Sequence, residues 1–122
     1  MKSFRIAIIA LILLIVSVFA NSAYIKNTSE QFIAGIELIN ETDPDAARLE
    51  LNALYKKFKK AEKIISITTS HDDLTSIEEE FSEMIGAVNA KEMSEVVKIK
   101  SRLKSSFEHL RRLSGINIDS II

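Results

Sequence analysis

His71 and His109 are the residues best able to bind a metal or move a proton in this chain of 122 residues, which has two histidines and no cysteine. A carboxylate-bridged di-iron site needs Glu-x-x-His on paired helices, with all ligands pointing inward. Thr68 stands three residues before His71 and Ser106 three before His109, so the motif is absent at both places. His71 is expected to be structural or exposed, near the start of a helix. Asp72, Asp73, Glu78, Glu79, Glu80 and Glu83 put six acids in one stretch without a basic residue. Glu79 and Glu83 share a helix face, but acid/base work would require one of them desolvated beside the other. These acids lie mostly off the apolar stripe, so a solvated face is the expected reading. A calcium loop is not spelled, because alternating oxygen ligands and a turn glycine are missing.

The complementary feature is Lys56, Lys57, Lys59, Lys60 and Lys63 around Glu62. Two roles fit these lysines. They can flank a seam against the acidic helix and set its register, each exposed pair being worth about 0–1 kcal/mol. Alternatively, they can touch anionic lipid headgroups or a wall polymer. Nucleic acid is a poorer partner, since no exposed aromatics interleave the lysines. With no Cys, three Gly and one Pro, the chain has no disulfide framework, thiolate site or phosphate-cradling glycine loop. No cofactor is implied, and the expected role is non-enzymatic. Asn27-Thr28-Ser29 and Asn40-Glu41-Thr42 are sequons that matter only in a glycosylating pathway.

The elements that must carry these residues begin at a membrane. After a basic start (residues 1–5, with Lys2 and Arg5), Ile6 to Ile25 is an uncharged run of 20 residues. At about 1.5 Å per residue this crosses a hydrocarbon core of about 30 Å. Residues 6–24 are predicted to be an uncleaved transmembrane anchor, since no Pro or Gly breaks the pattern until Gly35 and Tyr24 with Lys26 suits an interface. The rival is a cleaved signal peptide, with small residues at Val18-Phe19-Ala20 or Asn21-Ser22-Ala23. The flanking charges predict a cytoplasmic N-terminus and an external C-terminal domain. That external part keeps 14 basic against 17 acidic residues, which removes the electrostatic basis for nucleic-acid binding.

Residues 25–115 read as helix, giving an all-α chain in which the transmembrane helix continues into an antiparallel hairpin or a four-helix bundle. Ile25, Phe32, Ile36 and Ile39 form the first stripe. Asp43-Pro44 starts the second helix as N-cap and N1, followed by Ala47, Leu51, Leu54, Phe58, Ala61 and Ile65 at helical spacing. Ser70 opens a third helix with Leu74, Ile77, Phe81, Met84 and Val88 inward. An Asn89/Glu92 capping box is expected to open a fourth, with Met93, Val96, Ile99, Leu103, Phe107, Leu110 and Leu113 inward and Gly115 at its C-terminus. The tail 116–122 then ends on Ile118, Ile121 and Ile122, expected to fold over the bundle or to dock into a partner. So small a domain without disulfides is near the limit for a self-sufficient core. Self-association, or pairing with another membrane protein, is therefore expected.

His71-Asp72-Asp73-Leu74 with Ile77-Glu78, the late Leu103, Phe107, Glu108 and Leu110, and the ending Ile116-Asn117-Ile118 resemble an uncharacterised family of short bacterial proteins. The resemblance implies a single N-terminal span, an extracytoplasmic helical domain in a bacterial cell membrane, and no catalytic residues. The functional expectation is a scaffold or interaction module; the alternatives are a small-ligand sensor or a protein secreted after signal cleavage.

Overall fold

A computed structural model describes residues 2–67 and 69–121, with side chains through residue 114. Four helices make up the described chain: α1 (Lys2–Glu37), α2 (Pro44–Ile65), α3 (His71–Asn89) and α4 (Met93–Ile121), with no strand among the described residues. α1 runs unbroken for 36 residues, about 54 Å. Its first half buries nothing: Phe4, Ile9, Leu13 and Val16 are all exposed, and from Ser22 onward the same helix turns a buried face to its neighbours.

Each helix packs on the next, and α4 returns against α1. Cross-helix contacts show successive helices running antiparallel. Phe32 meets Phe58 while the later Gly35 faces the earlier Leu54. Arg48 reaches Asn89 while Lys59 reaches Glu78. Glu83 pairs with Arg102 while Asp73 faces His109.

One phenylalanine from each helix meets at the centre. Phe32 and Phe107 stack with centroids 4.9 Å apart, Phe58 lies edge-on to both, and Phe81 lies 5.3 Å from Phe58. Every predicted stripe residue is buried except Leu54, Met93 and Leu113, which are half-buried. Periodicity of apolar residues does not reveal Ser22, Thr28 and Ser29, which are also buried on α1.

The corners follow local chemistry. The Asn40 carboxamide oxygen accepts from the Thr42 and Asp43 amides, both at 2.8 Å, and Asp43 then caps α2 by accepting from the Asp45 amide at 3.0 Å. Asp43→Ala is expected to cost about 1 kcal/mol, read as a lower unfolding midpoint of the full chain in detergent. Ser70 caps α3 by accepting from the Asp72 amide.

Two expected boundaries are corrected. Asn89 does not cap α4; it is the last residue of α3. The turn is instead closed by Glu92 N–H donating to Ala87 C=O and Lys91 N–H to Val88 C=O, with Lys91 left-handed at φ 59°. This is the Schellman arrangement, here with lysine where glycine is usual. Gly115 does not end α4, which continues to Ile121. Residues 116–121 therefore continue a helix rather than forming a separate tail. The expected burial of Ile118, Ile121 and Ile122 lies outside the described residues.

Candidate functional site

α2 carries the chemistry on two of its sides. The core stripe leaves an outward face of opposite phase, and Lys56, Lys57, Lys60 and Lys63 are all exposed there. Among the described residues none of these four makes an ion pair. Lys59 is the exception: its ammonium turns into the α2–α3 seam, 2.6 Å from Glu78 and 3.2 Å from Glu62. The seam role considered for five lysines thus falls to one.

Around Lys59 the structure builds a polar corner that linear spacing does not show. Glu62 and Glu78, sixteen residues apart in the chain, face each other across the seam, and a pocket of about 230 Å³ beside them is lined by Lys63, Ser66, His71 and Thr75. Burial, then the adjoining Glu78, pushes the Glu62 carboxyl above the usual range. The hydrogen bond from Glu62, then Lys59, holds Glu78 below it. Lys59 is held protonated above its ordinary range by Glu78 and then Glu62. Burial thus disfavours the charge on Glu62, while the hydrogen bond from Glu62 and the Lys59 ammonium favour the charge on Glu78.

The signs of the two linkages are opposite. Glu78 stabilises the fold above its unfolded pKa, and this is lost as pH falls through its lower folded value. Glu62 favours the fold at low pH, and that contribution fades as pH rises through its raised value. Glu62→Gln, which mimics the protonated form, is therefore expected to keep or raise stability at neutral pH, whereas Glu78→Gln lowers it. Thermal unfolding of both variants at pH 5 and pH 8 checks the asymmetry.

The remaining acids of α3 are partly tied to α4. The Ser106 hydroxyl donates to Glu80 at 2.6 Å, Arg102 pairs with Glu83, and His109 lies 3.9 Å from Asp73. Four of the six acids expected on a solvated face, Asp73, Glu78, Glu80 and Glu83, thus bridge helices. Glu79 and Glu83 both line a shallow groove with Arg102 and Ser106, and Arg102 occupies the Glu83 carboxylate. His71 stays exposed, its Nε2 3.5 Å from Thr75 Oγ1, and the two histidines serve different seams. No cluster of three His, Asp or Glu suited to a metal occurs among the described residues.

The second side of α2 faces α1 across a groove of about 630 Å³. Phe32, Gly35, Leu54, Ala61 and Ile64 make its apolar part, Asn27, Thr28 and Gln31 its polar wall, and Lys57 and Lys60 its rim; Tyr24 closes one end. Gly35 permits this geometry, since a Cβ there would lie 2.9 Å from Leu54 Cδ1.

A family model described as a domain of unknown function, DUF4363, matches residues 18–121. The chain belongs to the DUF4363 family. The DUF4363 match begins where α1 ceases to be fully exposed and takes in all the packed helices, leaving out most of the apolar run. No curated protein and no solved structure matches this DUF4363 chain. Its one helix long and apolar enough to cross a membrane, among the described residues, is α1.

Proposed function

We propose that this chain is a non-catalytic, membrane-anchored helical module. Residues 6–24 of α1 cross a bacterial cell membrane once, Lys2 and Arg5 stay on the cytoplasmic side, and the remaining helices stand outside as an antiparallel four-helix bundle. The observation that carries the reading is the division within α1. An apolar stretch with mean hydropathy 2.6 is wholly unburied, yet it continues without a break into a helix that supplies Phe32 and Ile36 to the core. Fifteen or so bare apolar residues in water would be a large liability, and a bilayer removes it. Glu78, Glu80 and Glu83 of α3 are engaged in ties between helices, and Asp73 faces His109 of α4, which supports a structural role for these four acids. Leu38 and Leu49, exposed at the end of the body away from the span, suit contact with a second copy or another membrane protein.

The cysteine-free chain allows a direct test. Expressed in a bacterial host, Leu49→Cys is expected to react with a membrane-impermeant maleimide in intact cells, and Ser3→Cys only after lysis. A soluble product starting at Asn21 or Tyr24 overturns the anchor. The groove between α1 and α2 favours a second reading, a small-ligand sensor, because it combines an apolar floor with polar and cationic edges.

A further inference from the structure

We infer that the outward face of α2 rests on the anionic headgroups of the leaflet from which α1 emerges. The inference builds on the anchor reading above and assigns the partner of a surface which that reading leaves free. Its first support is level. Tyr24, at the end of the uncharged run, lines the same groove as Lys57, Lys60 and Ile64, so the last turns of α2 lie beside the point where α1 leaves the hydrocarbon. Lys56 to Lys63 covers only about 10 Å of helix, comparable to the Debye length at physiological salt.

The second support is charge. Lys56, Lys57, Lys60 and Lys63 are exposed and have no ion pair among the described residues, while the one acid among them, Glu62, is held by Lys59 and Glu78. Lys26, also exposed, adds a cation on α1 two residues past Tyr24. Of the acids toward this end, Asp72 and Asp73 belong to α3, where Asp73 is turned toward His109, Glu30 belongs to α1 and Glu108 to α4. The body is thus basic on the α2 side and acidic on the α3 side. An anionic surface attracts the first and repels the second; Arg111 and Arg112 add cations on α4, but the exposed isoleucines Ile64 and Ile67 stand beside the lysines of α2, and these favour a lean toward α2.

The third support is apolar. Ile64 and Ile67 remain 43% and 74% exposed at the end of α2 beside these lysines. Isoleucines flanked by lysines are suited to enter the headgroup boundary while the ammonium groups stay at phosphate level. Because α1 has no break between span and body, a span tilt of about 20°, ordinary for single helices, is transmitted to the whole body.

The test uses the full chain reconstituted in vesicles, carrying Ile67→Cys labelled with an environment-sensitive fluorophore. Leu38→Cys, at the opposite end, is the reference. In vesicles containing phosphatidylglycerol, a headgroup-nitroxide lipid is expected to quench the label at 67 at least about threefold more than in pure phosphatidylcholine. That excess should vanish at high salt and in the combined Lys56→Gln, Lys57→Gln, Lys60→Gln, Lys63→Gln variant, with the label at 38 dim in none of them. These four side chains make no contact in the core, so retained helical circular dichroism separates loss of docking from loss of fold. Quenching at 67 that ignores lipid charge, salt and the four substitutions overturns the inference while leaving the anchor intact. Failure of the chain to float with the vesicles overturns the anchor itself, and the inference with it. Charge-independent quenching combined with protection of the lysines from acylation by soluble polyphosphate overturns it in favour of a polymer partner.

Discussion

Phe58→Ala is expected to lower the stability of the helical body by about 3–5 kcal/mol, the largest loss of any single truncation considered for this chain. Phe58 is fully buried and its ring meets Phe32, Phe81 and Phe107, one on each of the other helices. Removing it empties the centre of the only layer in which all four helices contribute an aromatic ring. The surrounding helices cannot collapse easily into the void, because Phe32 and Phe107 are already stacked on each other at an interplanar angle of 6°. Phe58→Leu retains most of the volume and should cost less than about 1.5 kcal/mol. Chemical denaturation of the full chain in detergent, followed by helical circular dichroism, provides the measurement. Phe4→Ala on the exposed half of α1 is the internal control and should leave the transition unchanged. A Phe58→Ala midpoint equal to that of the control would mean that the aromatic layer is not packed.

Lys100→Met is expected to cost about 1.5–3 kcal/mol, although the substitution keeps the length of the stem. The Lys100 side chain is only 13% exposed, and its ammonium donates to Glu37 C=O, Ile39 C=O and Glu41 Oε1, each at 3.0 Å. The last carbonyls of a helix have no partner within it, and a cation there also meets the negative end of the helix dipole. An ammonium with three donors satisfies three acceptors at once. Lys100 therefore closes the end of α1 from the opposite helix, 63 residues away from Glu37 in the chain. Lys104→Met is the comparison. It removes an exposed pair with Glu37 on the same side of α4 and should shift the transition little. Equal midpoints for the two variants would show that the α1 carbonyls are served by water instead.

The four helices and their inward faces were legible because an apolar residue every three or four positions must point to one side whatever the neighbours are. Ala47, Leu51, Phe58 and Ile65 are all buried for that reason. Asp43-Pro44 and Ser70 were legible as starts because capping is decided within one turn. The turn at Lys91 was not: Asn89 is a good N-cap type, but closing α3 onto α4 required a left-handed residue at 91, a demand set by the packing of two helices. Gly115 misleads for the related reason that a glycine permits a helix end without compelling one.

The charges divide in the same way. Composition alone puts basic residues on α2 and acids on α3, and it identifies an uncharged run long enough for a membrane. Which lysine of α2 serves a seam is a matter of angle and distance between helices, and among the described residues of α2 only Lys59 reaches an acid across one. The pairing of Glu62 with Glu78, the groove beside Gly35 and the reach of Lys100 to the end of α1 all join residues far apart in the chain. Periodicity sorts residues into inside and outside along one helix; it carries no information on which outside edge meets a neighbour. That was decided when the four helices docked, and among the described residues it left Lys56, Lys57, Lys60 and Lys63 of α2 without an ion pair, toward the end of the body that Tyr24 marks.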